Sequence, residues 1–393
     1  MSTAEAFLLV LLAVFTLPWA LWRLAGGGIR LPMVVVQIVG GILLGPGVLG
    51  VLAPGAHHEV FRPDVMAALN GVAQWAVMLF IFLAGLELDL SESWARRRET
   101  LVTAGAALVV PLGLGSAAAL VLVRQVGWVG AAASDWQAVL GIGMACAVTA
   151  LPILVLFLGQ LGLLRQPLGQ RVLRYASLDD VAIWAVLALI LLDWDRLARQ
   201  LGFALIFLTA APLMRRLMPR LAERDRWFVA LIWLLSASFA ADWAGLHYMV
   251  GAFLAGALLE ARWFGIERVD LMRDVILTVL MPVFFLSTGL RTSWEIGGPA
   301  VFGAALLLLA ASVVGKLAGV HLAGWILGWP RREATVIGWL LQTKALIMIM
   351  SIFANILLDK DVISPATFTA LLLMALGSTV LTMPVVLPRL KRL

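Results

Sequence analysis

The chain has 393 residues, of which 62% are hydrophobic and only 13% are charged, and its formal net charge is +6. This composition excludes an ordinary soluble domain and predicts an all-α polytopic membrane protein. A single cysteine excludes a disulfide framework and a cysteine-based metal site. In such a protein an excess of Lys and Arg is typical of cytoplasmic loops, so we expect no nucleic-acid partner.

Thirteen apolar runs are long enough, at roughly 15–25 residues, to be transmembrane helices. We number them segments 1–13 in chain order: Ala6–Trp22, Leu31–Leu49, Ala67–Leu86, Leu101–Leu122, Ala138–Leu158, Val172–Leu192, Leu201–Met214, Trp227–Ala241, Leu246–Ala261, Val275–Leu290, Ala300–Leu322, Ala334–Leu357 and Ala366–Leu387. No basic residue precedes segment 1, so we expect a retained helix there and not a cleavable signal peptide.

The distribution of basic residues predicts the topology. Loops and ends that follow odd-numbered segments carry 21 Lys or Arg, whereas those that follow even-numbered segments carry 6. Basic residues accumulate on the cytoplasmic side, and a miscounted segment would have blurred this contrast. We therefore expect the N-terminus outside, the C-terminus in the cytoplasm, and a location in a bacterial inner membrane.

Two short patterns recur seven segments apart. Residues Phe80–Leu86 in segment 3 and Phe284–Leu290 in segment 10 both read F-x-x-x-x-G-L. The same offset relates the glycines of segment 2 to Gly256 of segment 9, and Thr149 of segment 5 to Thr343 of segment 12. An odd offset reverses the orientation in the membrane, and inverted repeats of this kind are typical of secondary transporters.

These matches predict the internal organisation of one membrane unit, residues 1–393. Segments 1–6 form a first six-helix repeat over residues 6–192, and segments 8–13 form a second one over residues 227–387. Segment 7, residues 201–214, is the connecting helix between them.

Segments 5 and 12 are predicted to be broken helices that cross. Pro152 removes a backbone donor within segment 5, and Thr149 can turn its hydroxyl to the groups that are freed. At the repeat-related place, segment 12 carries Thr343 and Lys344, and this lysine either neutralises helix ends at the crossing or packs structurally. Unwound backbone supplies carbonyl oxygens for a cation and amide dipoles for charge balance.

Asp179 and Asp180 stand side by side within segment 6. Each carboxylate inside a membrane helix costs roughly 2.5–3.5 kcal/mol on insertion scales, so such residues indicate an ion or proton site. Two adjacent acids resist being ionised together, so one of them tends to keep a proton. This pair predicts the exchange of H⁺ against a metal cation. Lys316, in the middle of segment 11, is expected to have an acidic partner.

The chain resembles the cation:proton antiporter-2 group of the monovalent cation:proton antiporter superfamily. The motifs that carry the resemblance are Leu31-Pro32 with Gly40 to Gly50, Leu79 to Leu88, Thr149 to Pro152, Asp179 to Val181, Gly251 to Gly256, Phe284 to Leu290, Gly315-Lys316 and Thr343-Lys344. The resemblance implies a thirteen-helix homodimer with two crossed broken helices and elevator-like alternating access.

The resemblance also implies roles for single residues. Asp180 matches the cation-binding carboxylate, Asp179 the acid of the electrogenic branch, and Lys316 the lysine that pairs with that acid. Thr149 matches the residue that flanks the broken helix. Two positions depart from the family pattern and leave the cation open, because Gln342 replaces a common Asn and Ala345 replaces a common Gly. Relatives that export K⁺ often continue into a soluble nucleotide-binding domain, which we do not expect after Leu393.

We therefore predict a secondary antiporter and not an enzyme. It exchanges a monovalent cation, with Na⁺ favoured, for H⁺, needs no cofactor, and is electrogenic with two H⁺ per cation. K⁺/H⁺ exchange is the nearest alternative. An intramembrane aspartyl protease also needs two buried aspartates, but adjacent residues on one helix diverge by about 100° and cannot flank one peptide bond. A passive channel is disfavoured because no filter motif repeats and a buried lysine is present.

Overall fold

The computed structural model describes residues 1–26, 33–88, 95–125, 127–130, 134–190, 194–290, 298–344 and 362–391, with some side chains between 180 and 190 left out. Apart from one antiparallel bridge between Val129 and Ile363, these residues form helices joined by turns. We number the α-helices in chain order: α1 Thr3–Leu24, α2 Met33–Leu44, α3 Leu49–Leu52, α4 Pro54–Val60, α5 Pro63–Leu86, α6 Arg97–Val123, α7 Asp135–Ala147, α8 Leu151–Gln160, α9 Pro167–Ile190, α10 Trp194–Leu217, α11 Glu223–Trp243, α12 Tyr248–Ala257, α13 Ile266–Val275, α14 Met281–Leu290, α15 Pro299–Leu327, α16 Arg331–Leu341 and α17 Pro365–Leu390.

The helical architecture confirms the predicted fold class. Each of the thirteen predicted segments contains a described helix, although the bounds differ by several residues and three short helices, α3, α4 and α13, were not predicted. Within the described residues, eight helical stretches are long and apolar enough to cross a membrane by themselves. Helices such as α12, with 10 residues, are too short to cross the bilayer by themselves. The count of thirteen crossings therefore stays a prediction.

The chain divides into two compact units. The first comprises Met1–Glu87, Ala204–Trp243 and His247–Trp294, and the second comprises Leu88–Phe203, Ala244–Leu246 and Glu295–Leu393. Each unit thus takes three segments from each predicted repeat, and the predicted connecting helix α10 is divided between the units. Spatial clustering and repeat symmetry are different properties, so the repeats and their bounds also stay predictions.

In the first unit, the recurring glycines make reciprocal contacts between helices. A Cβ added to Gly41 of α2 would lie 2.1 Å from the carbonyl oxygen of Leu286, and one on Gly289 of α14 would lie 2.2 Å from the carbonyl oxygen of Ile38. The second pair behaves in the same way: the Cβ of Gly85 in α5 would meet the Phe253 oxygen, and that of Gly256 the Phe82 oxygen.

These contacts explain why the recurring positions are glycine. In both crossings the backbones approach so closely that no side chain fits, as is common where membrane helices pack. The crossings join segment 2 to segment 10 and segment 9 to segment 3, and an exchange of the two predicted repeats converts one crossing into the other. An inverted repeat would produce this reciprocity.

In the second unit, α6 packs against both α7 and α15 through small residues. A Cβ on Gly315 of α15 would lie 2.5 Å from the Cα of Pro111, and one on Gly319 would lie 2.3 Å from the Ala106 oxygen. Gly143 of α7 faces Ser116 of α6 in the same way. These close approaches bring the middle of α15 to the end of α7, where the predicted site residues lie.

A polar cluster joins the starts of three helices in the second unit. Arg171 of α9 donates to Glu99 of α6 over 2.8 Å and also pairs with Glu333 of α16. Its guanidinium lies 4.5 Å from the ring centre of Trp329, and Tyr175 donates to the same Glu99. Arginine suits this position because its planar group both pairs with carboxylates and stacks on an aromatic ring. The cluster fixes the starts of three helices whose later residues contribute to the site.

Candidate functional site

The predicted break in segment 5 is present. Helix α7 ends at Ala147 and α8 begins at Leu151. Between them, the backbones of Val148 and Ala150 are extended. Pro152 lies in the first turn of α8, where a missing N–H costs nothing, but it prevents a continuous helix through the preceding residues. The break therefore follows directly from the position of the proline.

The helix of segment 12 ends at the related place, and this end contacts the break in segment 5. Helix α16 ends at Leu341, and the backbone N–H of Ala150 donates to the carbonyl oxygen of Thr343 over 2.8 Å. The hydroxyl of Thr149 lies 2.9 Å from the carbonyl oxygen of Leu341, the last residue of α16. The break in segment 5 and the end of α16 thus satisfy each other's open backbone groups, which is how irregular backbone is tolerated inside a membrane protein.

Asp179 projects from α9 into this crossing. Its side chain is 2% exposed, and Oδ2 lies 2.6 Å from the Thr149 hydroxyl and 3.1 Å from Lys316 Nζ. Its other oxygen, Oδ1, has no hydrogen-bond partner in the part of the chain that the structure describes. Buried polar atoms are normally paired, so this vacant oxygen can accept a cation or a proton.

The single hydroxyl hydrogen of Thr149 has two acceptors, Asp179 Oδ2 and the Leu341 oxygen. A hydroxyl donates one hydrogen at a time while its oxygen accepts others. When Asp179 is ionised, Thr149 can donate to it. When Asp179 carries a proton on Oδ2, the carboxyl can donate to Thr149, which then turns its hydrogen to Leu341. The arrangement accommodates both protonation states of Asp179 without movement of the backbone.

Lys316 is fully buried in α15 and has three acceptors among the described residues. Its Nζ lies 2.9 Å from the Ala107 oxygen, 2.5 Å from the Ala147 oxygen and 3.1 Å from Asp179 Oδ2. An ammonium group has three hydrogens, so this set is complete. The contact with Asp179 corresponds to the ion pair that the resemblance implied.

Lys344 is also fully buried and lies at the same helix end. Its Nζ donates to the carbonyl oxygen of Cys146 over 2.8 Å and to that of Val148. Together, the two lysines occupy the carbonyl oxygens of three consecutive residues at the C-terminal end of α7. A helix C-terminus carries partial negative charge, so ammonium groups are stabilised there. Of the two roles considered for Lys344, this geometry favours neutralisation of a helix end.

Gln342 joins three elements beside these contacts. Its amide nitrogen donates to Ser312 Oγ over 2.9 Å and to Ser378 Oγ over 3.3 Å. Ser312 in turn donates to the Cys146 oxygen, and Ser378 donates to the backbone oxygen of Gln342. Both serine hydrogens are therefore used, which fixes the orientation of the amide. Gln342, a departure from the family pattern, thus bridges α15 and α17, and no pattern in the sequence indicates this role.

Two predicted features lie outside the described parts. The backbone of Asp180 belongs to α9, but its side chain is not described, and Ala345 lies in the undescribed range 345–361. The structure thus brings together Asp179, Thr149, Lys316, Thr343 and Lys344. Pro111 of α6 was missed, although an interior proline in an apolar segment is the same signal that identified Pro152.

Comparison with protein families identifies the chain. Residues 10–390 match the model described as "Sodium/hydrogen exchanger, transmembrane", and the chain belongs to this family. The fold and the site indicate a helical integral membrane protein with a buried ion pair beside a helix break, and this class agrees with that membership.

Among curated proteins, the chain is 28% identical to the Na(+)/H(+) antiporter NhaS4 of Synechocystis over 400 residues, which cover 96% of this chain and 97% of the relative. It is 30% identical over 377 residues to Cation/H(+) antiporter 19 of Arabidopsis thaliana, and 27% identical over 383 residues to K(+)/H(+) antiporter 1 of Saccharomyces cerevisiae. The aligned parts cover 46% and 43% of these two, so the chain spans about half the length of such relatives.

Among solved structures, the fold is similar to that of the sodium proton antiporter MjNhaP1 from Methanocaldococcus jannaschii, determined at pH 8. The TM-score is 0.65 and the match covers 98% of each chain, with 14% sequence identity. This likeness is one of fold alone.

Proposed function

We propose that this chain is a secondary antiporter that exchanges a monovalent cation, with Na⁺ favoured, for H⁺ by elevator-type alternating access. The observation that carries the proposal is the fully buried pair of Lys316 and Asp179, which lies where the break between α7 and α8 meets the end of α16. Buried charges are costly, and in transporters they mark the ion or proton path. Membership of the sodium/hydrogen exchanger family supports the same reaction.

In this proposal, Asp180 and Asp179 bind either protons or the cation, at different stages of the cycle. Thr149 supplies a further oxygen ligand to the cation. Arrival of the cation competes with Lys316 for Asp179, because both are positive and share one carboxylate. The carbonyl oxygens at the end of α7 hold the ammonium while Asp179 is engaged elsewhere. Asp179 and Asp180 each release one H⁺ before the cation binds, so two H⁺ leave for each cation and the exchange is electrogenic. The reaction involves no covalent chemistry and no cofactor.

The same proposal includes a homodimer in a bacterial inner membrane, with the N-terminus outside and the C-terminus in the cytoplasm. The excess of basic residues after odd-numbered segments supports this orientation.

K⁺/H⁺ exchange is the second candidate. Its specific support is the similarity to a yeast protein named K(+)/H(+) antiporter 1, together with Gln342 at a position where the family pattern has Asn. The aspartyl protease alternative gains no support, since the described aspartate pairs with a lysine and the family is one of exchangers.

The test is transport by purified protein in liposomes, with Na⁺, Li⁺ and K⁺ supplied separately. We expect each accepted cation to release internal protons, and Na⁺ to do so at the lowest concentration. Asp180→Asn should keep the fold, because a neutral amide is cheaper to bury than a carboxylate, yet abolish exchange. Near wild-type proton release by this variant would refute the mechanism, and a preference for K⁺ would select the second candidate.

A further inference from the structure

Helix α6 contains a proline, Pro111, in its buried interior. Proline has no N–H, so the carbonyl oxygen of Ala107, four residues earlier, loses its helical donor. Inside a membrane protein no bulk water is present to take the place of that donor, and an unpaired carbonyl is costly. The lost hydrogen bond therefore has to be replaced by another buried group.

The replacement donor is the ammonium group of Lys316, whose Nζ lies 2.9 Å from the Ala107 oxygen. Of the three described acceptors around this nitrogen, Asp179 is the one that binds proton or cation in the proposed cycle. The other two acceptors are the backbone oxygens of Ala107 and Ala147, which do not titrate. They can therefore remain bonded to the lysine throughout the cycle.

The packing of α15 against α6 is built for this contact. The residue before Lys316 is Gly315, and a Cβ there would lie 2.5 Å from the Cα of Pro111. One turn further along α15, a Cβ on Gly319 would lie 2.3 Å from the carbonyl oxygen of Ala106. The absence of both side chains lets the base of the lysine come close to the carbonyl that the proline has freed.

The second buried lysine also binds a carbonyl oxygen outside the regular helical bonding. Lys344 Nζ donates to the carbonyl oxygen of Val148, which lies between α7 and α8. There the break in the segment leaves the oxygen open, whereas at Ala107 a proline within a continuous helix does so.

We propose that Pro111 is a positioning residue for Lys316: by withholding its amide, it reserves the Ala107 carbonyl for the ammonium group. The lysine then stays buried, charged and oriented when Asp179 turns to the cation. The last step rests on the proposed exchange function, whereas the reservation of the carbonyl does not.

A stability cycle tests the reservation without any transport measurement. The variants are Pro111→Ala, Lys316→Met and the double variant, compared by thermal unfolding in detergent. Alanine keeps the Cα and Cβ that contact Gly315 and adds only an N–H. In the Lys316→Met background the Ala107 carbonyl has no ammonium partner, so the new N–H should raise Tm at least about twice as much as it does beside the native lysine. Equal effects in both backgrounds would overturn the proposal.

Pro212→Ala is the matched control, because Pro212 lies inside α10 and is not part of any buried lysine contact in the described structure. Its removal also restores a helical hydrogen bond. Its effect on Tm should be the same in the wild type and in the Lys316→Met background. Coupling of Pro212 to Lys316 as large as that of Pro111 would mean that the cycle reports a general effect, and the proposal would be wrong.

The pH profile of exchange gives the functional test. Asp179 of α9, Lys344 after α16 and Cys146 of α7 are the titratable described groups around Lys316. In Pro111→Ala the Ala107 carbonyl is shared between the new N–H and Lys316, so the ammonium is held less strongly in its charged form. Exchange should then be lost at a lower pH: the alkaline limb of the profile should move down by about 0.5–1 unit in Pro111→Ala and stay in place in Pro212→Ala. An unmoved profile with an intact stability cycle would overturn the positioning role and leave Pro111 a structural residue. A failure of all variants and the wild type to transport would instead contradict the proposed function.

Discussion

Asp179 and Lys316 form a pair in which each charge depends on the other. Both side chains are buried, and their atoms lie 3.1 Å apart. Loss of one member of such a pair typically costs about 3–5 kcal/mol, because the other charge is left without a partner. Lys316→Ala should therefore lower Tm, and the addition of Asp179→Asn should restore part of the loss. A double variant equal to the sum of the two single ones would show that the residues are not coupled.

Thr149 contributes a hydroxyl whose geometry serves Asp179 directly. Thr149→Val keeps the shape of the side chain but removes the hydrogen bond, and a bond to a charged group is worth about 1.5–3 kcal/mol. We expect the KM for the cation to rise about tenfold or more in liposomes. Thr149→Ser retains the hydroxyl and is the matched control, expected to stay within about twofold of wild type. Equal defects in the two variants would assign the effect to packing.

At the scale of the helices, the glycine crossings in the first unit are the features most sensitive to substitution. A Cβ on Gly85 of α5 would lie 2.2 Å from the Phe253 oxygen, whereas one on Gly71 of the same helix meets no atom within 4 Å. Overpacking costs about 1–3 kcal/mol, and alanine in an open helical position gains roughly 0.5–1 kcal/mol over glycine. Gly85→Ala should lower Tm and Gly71→Ala should raise it slightly, as measured by thermal unfolding in detergent. Similar shifts in Tm for both variants would show that the close helix contact at Gly85 does not determine stability.

The break in segment 5 shows how one residue sets the form of a helix. Pro152 predicted the break between α7 and α8, and the structure has it there. No proline lies at the end of α16, and the only signal there was the position of Thr343, which is related to Thr149 by the predicted repeat. What holds the end of α16 against the break in segment 5 is a hydrogen bond between the two segments, from Ala150 to Thr343. Such a bond depends on both elements and leaves no pattern in either alone.

For the whole molecule, the proposed stoichiometry predicts a response to membrane potential. If two H⁺ move against one monovalent cation, one net charge crosses in each turnover, and 100 mV acts on it with about 2.3 kcal/mol. An imposed potential should then drive cation movement in liposomes without a pH gradient. Asp179→Asn removes one titrating carboxylate and should make exchange electroneutral. Wild-type exchange that is indifferent to potential would refute the two-proton cycle.

Composition and local patterns in the sequence were enough to determine the membrane class, the helical fold and most members of the candidate site. Apolar length predicts helices, a proline predicts a break, and acids or lysines within apolar runs stand out because burial of a charge is costly. The tertiary structure alone decided which partners these residues meet. Lys316 binds carbonyls of residues 107 and 147, and Gln342 bridges hydroxyls on two other helices. Backbone carbonyls are present at every position and carry no mark in the sequence, so only the packing of helices distant in the chain selects the ones that hold a buried charge.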